Sequence, residues 1–266
     1  MQEAKKRTGK KSPIKKAPLR LPGQFLDEKI KDIKYDMLWN VFVCLMYLTS
    51  LVIAWLFYLF PKTFLLPLLL LLTLVSVLVF IFYGTRISKQ WKEIDNHKLG
   101  RVGEIEVGQT LEKLREQGCR IFHDIQMGNY NIDHVVLSTK GVFVIETKTR
   151  RKPAEGRTEI VYEGDLIRIN GSPNKTDIEQ AKSQACGFHK FFKLITGNSY
   201  FVRPVIVYPG WYVTSSFDPE KSDMWVLNPD QLSQKIAAQP EVIKPKELET
   251  IANQLEYHIR EKSDLK

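Results

Sequence analysis

The stretch NIDHVVLSTKGVFVIETKTR, residues 131–150, places Asp133, Glu146 and Lys148 in and at the ends of two runs of β-forming residues. Ionisable groups in strands that bury themselves are costly unless paired with one another, with a metal or with a substrate. Side chains alternate along a strand, so Glu146 and Lys148, two apart, project together. A two-residue turn at Thr139-Lys140 sets Asp133 opposite Glu146; one at Lys140-Gly141 sets it opposite Lys148. Either register gathers all three on the face that carries Val135, Leu137, Val142 and Val144, whereas a three-residue turn would scatter them. Two close carboxylates are a weak arrangement for stability and a good one for a hard divalent cation such as Mg²⁺, which takes one or two carboxylates plus water and phosphate oxygens. A neighbouring lysine can polarise a bound water or stabilise a phosphorane-like transition state. Such a set suits phosphodiester hydrolysis. A buried acid–lysine ion pair without chemistry is the competing reading.

The elements that must position this set follow from hydrophobic period and punctuation. A helix is expected through GEIEVGQTLEKLREQG, with Val107, Leu111 and Leu114 at helical spacing and Gly118 as its stop. RIFHDIQM reads as a strand, followed by the turn GNYN and the two strands of the hairpin. TEIVYE and LIRIN flank Gly164-Asp165 as a second hairpin. TDIEQAKSQACGFHKFFKLITG opens with Thr176 and Glu179 spaced as a capping box, closes on Gly197, and carries Ala181, Ala185, Phe188, Phe192 and Ile195 as one apolar stripe. FVRPVIVY and MWVL read as strands, PDQLSQKIAA and ELETIANQLEYHIREK as closing helices. That order predicts an α/β fold, a mixed sheet flanked by helices.

Ahead of this domain lie two runs with no charged residue, 37–60 and 63–83. Each exceeds the roughly 18 residues that mark a membrane-spanning helix, and Trp39, Trp55, Tyr58 and Tyr83 sit near their ends. A transmembrane hairpin is expected, turned at Pro61-Lys62, with 84–99 as a polar link and 100–266 as the domain. Residues 1–36 carry eleven Lys/Arg against five Asp/Glu, and Arg86, Lys89, Lys92, Lys98 and Arg101 follow the second run. The positive-inside rule then puts both flanks in the cytoplasm, as in a bacterial inner-membrane protein. The tail 1–36 is expected to be disordered. Its basic residues fit anionic lipid contact, a DNA-steering arm or a topogenic signal alone.

Of the net charge of +9, the tail takes +6 and Lys62 one, leaving +2 from residue 84 onward. Bulk charge therefore does not advertise a nucleic-acid surface. Cys44, Cys119 and Cys186 are widely spaced, which argues against a disulfide framework and a zinc site. His123-Asp124 and Asp133-His134 could suggest a histidine–metal site, but His134 points to the opposite strand face from Asp133, so a structural role is read for it. Arg150, Arg151 and Lys152 fit either phosphate contacts or a solvated run. Phe188, Phe191 and Phe192 read as core rather than a stacking platform. There is no Gly-rich phosphate loop, nucleophile elbow or helicase motif.

Gly103-Glu104, the block IDHVVLSTKGVFVIETK at 132–148 and the glutamine-bearing helix resemble the NERD (nuclease-related) domain, a branch of the PD-(D/E)XK nuclease superfamily, over roughly residues 100–210. The resemblance implies a restriction-endonuclease-like core in which Asp133 and Glu146 bind metal, Lys148 is the catalytic lysine, and Glu104 is an additional acid that binds metal directly or through water. Gln180 would complete the site, with Gln184 a rival because DIEQ stands where the family usually has Asn-Pro. It implies a Mg²⁺- (or Mn²⁺-) dependent nuclease acting on DNA in preference to RNA. The alternatives are a non-catalytic nucleic-acid-binding module and a scaffold at the membrane.

Overall fold

The computed structural model describes residues 18–59, 66–128, 130–153, 155, 158–216 and 222–264. The tail to residue 17, the Pro61-Lys62 turn and the start of the second apolar run lie outside the described residues. Helix α1 spans Gln24–Leu59 and α2 spans Leu66–Glu112, antiparallel and packed along each other. After Pro67, tolerated in a first turn, α2 contains no proline, so nothing interrupts its hydrogen-bond ladder from the apolar run through the charged 84–99 segment to Glu112. The expected link is thus part of one helix. Residues 18–36, expected to be disordered, are instead a short extended segment running into α1, and they pack on α2 and on the domain. Both helices are long and apolar enough to cross a membrane, and their apolar runs are exposed, unlike the core helices of a globular domain.

A short 3₁₀ turn, Lys113–Gln117, ends at Gly118 in the left-handed conformation. Strands β1 (Arg120–Met127), β2 (Tyr130–Ser138) and β3 (Gly141–Thr147) follow as an antiparallel meander. Next come β4 (Glu159–Tyr162), β5 (Ile167–Ile169), β6 (Ser172–Asn174) and α3 (Thr176–Thr196). The chain finishes with β7 (Val202–Val207), β8 (Tyr212–Ser215), β9 (Trp225–Leu227), α4 (Pro229–Ala237) and α5 (Pro245–Asp264). The main sheet is ordered β1-β2-β3-β7-β9, with β7 and β9 parallel to their neighbours, and a smaller sheet is ordered β6-β5-β4-β8. This is the mixed α/β architecture that the pattern predicts, with the short strands β6 and β8 added.

The two faces of the main sheet build separate cores. Val135, Leu137, Val142 and Val144 pack with Ala185, Phe188 and Phe192 of α3 and Leu248, Ile251 and Leu255 of α5. Val136, Phe143 and Ile145 pack with Val107 and Leu111 of α2 and with Leu232 and Ile236 of α4. Phe188 and Phe192 are therefore core. The N-terminal turn of α3 is not closed by a capping box: its N-cap is Lys175, without a side-chain cap, and Asn174 Oδ1 accepts the Asp177 N–H instead. That asparagine, at the end of β6, ties the small sheet to the helix start.

Candidate active site

The β2–β3 hairpin turns on Thr139 and Lys140, with Ser138 opposite Gly141. The register pairs His134 with Ile145, which brings Asp133 level with Glu146. Past the end of β3, the Lys148 N–H donates to the Val207 carbonyl at 2.8 Å, so Lys148 continues the parallel pairing and stays on the Glu146 side. Lys148 Nζ donates to Glu146 Oε1 at 2.7 Å and to Gln180 Oε1 at 2.8 Å, while Gln180 Nε2 donates to the same Glu146 oxygen at 2.6 Å. The three side chains form a closed hydrogen-bonded triangle. Gln184 instead donates to the Asn131 carbonyl at 3.2 Å, so the structure brings Gln180 and not its rival into the cluster.

Asp133 Oδ2 accepts the Thr147 N–H at 2.7 Å, one of its few compensations for burial. Glu104 arrives from α2. The preceding Gly103 lets that helix close on the exit of β3: a Cβ there would fall 2.0 Å from Thr149 Oγ1. Asp133, Glu104 and Glu146 are all buried, at 9%, 7% and 5% relative exposure. Burial, followed by the charges of Asp124 and Glu146, pushes the Glu104 carboxyl up to about 8, against smaller downward pulls from the Gly23 backbone and Lys148. Burial and the charges of Glu146 and Glu104 likewise raise Asp133 well above the ordinary carboxylate range. Glu104 Oε2 and Glu146 Oε2 have no hydrogen-bond partner.

The neighbouring candidates are absorbed into structure. Arg150 pairs with buried Asp177 at 2.6 Å, and Tyr208 Oη donates to the same carboxylate at 2.6 Å. Arg151 pairs with Asp95 of α2 at 2.7 Å, and Lys152 lies over the Trp211 ring. His134 is fully buried on the α2 face, its Nδ1 2.8 Å from that of His123, and burial keeps it well below the ordinary imidazole range. Among the described residues, no group of three or more His, Cys, Asp or Glu side chains gathers as metal ligands.

Residues 99–209 match the family model of the nuclease-related domain, NERD. No curated protein and no solved structure gives a significant match. The NERD match begins at the end of α2 that carries Glu104 and closes just after β7, so it contains Glu104, Asp133, Glu146, Lys148 and Gln180 together. It leaves out α1, most of α2, and β8 to α5.

Sequence reasoning offers Asp124 only beside His123, as a weak histidine–metal candidate; the structure gives this acid a framework role instead. Asp124 of β1 is fully buried, lies level with Asp133 in the β1–β2 register, and has a left-handed φ of 56°. The break in alternation lets Phe122 and Ile125 enter the same core cluster. Arg20 Nε donates to Asp124 Oδ2 at 2.5 Å, the Phe25 N–H to the same oxygen at 2.9 Å, and Asn131 to Oδ1. An acid inside RIFHDIQM is itself the signal; two of its three partners, Arg20 and Phe25, lie about a hundred residues away.

Proposed function

We propose that this chain is a metal-dependent nuclease that hydrolyses phosphodiester bonds of nucleic acid, DNA in preference to RNA, beside a membrane. The observation that carries the reading is the cluster within the NERD match: buried carboxylates of Asp133, Glu146 and Glu104 gathered in one place, with Lys148 and Gln180 hydrogen-bonded to Glu146. The donor set is all oxygen, which fits a hard cation, and two buried carboxylate oxygens have no partner. Asp133 and Glu146 would hold Mg²⁺ or Mn²⁺, with Glu104 binding directly or through water; a pair of carboxylates suffices for an ion that keeps most of its waters. The cation would supply Lewis acidity and a lowered pKa for a bound water. Lys148 uses two of its three N–H donors on Glu146 and Gln180, leaving one for a phosphate oxygen or the attacking water. Gln180 fixes the Glu146 carboxylate from the α3 side, and the Thr147 N–H fixes Asp133 from the strand.

The exposed apolar helices would serve as a membrane hairpin, with both flanks on the cytoplasmic side because basic residues follow and precede it. Along α2, Glu104 lies about 30 Å from Gly84, where the apolar run ends. That distance leaves room for a duplex between bilayer and site, on a helical stalk rather than a flexible tether. The test is cleavage by the full-length chain in nanodiscs, on supercoiled, linear and single-stranded DNA and on RNA, with Mg²⁺, Mn²⁺ or EDTA. Metal-dependent cleavage abolished in Asp133→Asn supports the reading. The closed Lys148–Glu146–Gln180 triangle also fits an ion pair in a non-catalytic nucleic-acid-binding or scaffold module; substrate binding without cleavage under every metal condition would favour that reading.

A further inference from the structure

We propose that residues 19–25, which precede the first apolar helix and lie outside the NERD match, are a positioning element of the active site. Five residues hold this strap on the domain. Leu19 packs on the core cluster that contains Phe122, Ile125 and Ile132. Arg20 bridges Asp124 and Glu28, at 2.5 and 2.7 Å. Pro22 fills a notch made by Gly108 of α2, where a Cβ would fall 2.5 Å from the proline ring. Gly23, at φ 74°, turns the chain into α1 and packs against Arg101 of α2, about one helical turn from Glu104. The Phe25 N–H completes the set on Asp124.

The consequence is geometric. Asp124 stands beside Asp133 in the sheet, and Glu104 is one α2 turn from the Pro22 notch at Gly108. One short segment therefore holds Asp124 and packs along the stretch of α2 that carries Glu104, while its C-terminal end becomes α1. Arg20 pairs with Asp124 without itself reaching the reacting groups, and Pro22 and Gly23 seat on α2 at Gly108 and Arg101, on either side of Glu104. In this arrangement the site is complete only when α1 lies along α2, so pairing of the two apolar helices and assembly of the acids are one event.

The inference rests on the metallonuclease reading for its consequence but not for its first readout. Full-length wild type, Pro22→Gly, Arg20→Ala and Arg20→Lys are compared in nanodiscs. Pro22→Gly loosens the strap without stranding a buried charge, and so keeps the test valid if Arg20→Ala fails to fold. Hydrogen exchange in metal-free buffer should accelerate in peptides covering 19–25 and, with them, in those covering 103–112 and 131–147. Mn²⁺ binding, followed by electron paramagnetic resonance, should weaken about tenfold, with kcat falling and KM little changed, and Arg20→Lys should recover part of the loss. Faster exchange in the strap alone, with Mn²⁺ binding intact, would overturn the proposal. So would unchanged strap exchange in both Pro22→Gly and Arg20→Ala. If the wild type neither binds Mn²⁺ nor cuts, the metallonuclease reading fails while exchange coupling still judges the strap.

Discussion

Asp124 and Asp133 stand side by side in one sheet, both buried, and they are treated in opposite ways. Asp124 receives an arginine, an asparagine amide and a backbone N–H, so both of its oxygens are occupied. Asp133 receives one backbone N–H and faces two further acids, Glu146 and Glu104. A buried carboxylate saturated with donors is a structural tie; one left beside like charges is held at a cost that only a cation or a proton relieves. Saturation, rather than burial or residue type, separates framework from chemistry here. The two cations differ in partner: Arg150 pairs with Asp177, itself tied to Tyr208, whereas Lys148 pairs with Glu146 inside the acid cluster.

The sharpest way to break this contrast is to neutralise each acid and compare what is lost. Asp133→Asn and Lys148→Ala should lower cleavage by about a thousandfold or more, the scale of losing a positioned electrostatic group. Asp133→Asn should leave metal-free thermal stability equal or higher, because it removes like-charge repulsion and keeps an acceptor for Thr147. Asp124→Ala should do the reverse to stability. It leaves Arg20 with Glu28 alone and the Phe25 N–H and Asn131 amide without their acceptor, and should cost about 2–3 kcal/mol in urea titrations of the metal-free chain. If Asp133→Asn proved the more destabilising of the two, the acid–lysine cluster would be framework after all.

The pH dependence of stability sharpens the same comparison. Glu104 is pushed up to about 8 in the folded state from a reference near 4.5. A carboxyl shifted in this direction stabilises the fold fully below its unfolded pKa, and that contribution is lost as pH rises through its folded pKa. Metal-free stability should therefore fall between about pH 4.5 and 8, and Glu104→Gln should flatten the fall, gaining on the order of 3 kcal/mol at pH 8 and nothing at pH 4. Saturating Mg²⁺ should restore wild-type stability at pH 8 and leave Glu104→Gln less affected. A pH profile indifferent to the substitution would mean that Glu104 is not the group held proton-bearing.

Much of this contrast was legible in the sequence, and the part that was not has a common cause. Both faces of β2 and β3 are apolar, so the shared face of Asp133, Glu146 and Lys148 followed from strand parity only once a two-residue turn was taken, and the structure has that turn. The choice between Gln180 and Gln184 did not, because residues four apart occupy one helix stripe. What decides it is how α3 lies across the end of β3, a tertiary fact. Arg20 was read as tail charge because its partner lies 104 residues away. Gly103 entered the sequence reading only beside Glu104 and Gly108 had no role there; packing shows them as notches for Thr149 and Pro22. Local pattern reveals which side chains share an element face; it does not reveal which distant backbone a missing Cβ admits.

The smallest expected effects test that last point. Gly103→Ala would place a methyl group against Thr149 Oγ1 and must move either the side chain or α2. Helix propensity favours alanine by about 1 kcal/mol, so a neutral or destabilising outcome means that the contact outweighs the propensity gain. A net loss of about 1–2 kcal/mol is expected, because the threonine is flanked by Lys148 and Arg150, both of which are fixed by their own partners. The double variant Gly103→Ala/Thr149→Ser would keep the hydroxyl clash, whereas Gly103→Ala/Thr149→Gly would remove it. Recovery of stability in the second alone, measured by thermal melts, would assign the loss to this one approach. Recovery of cleavage along with it would show that Glu104 depends on how closely α2 seats against the strand that carries Glu146.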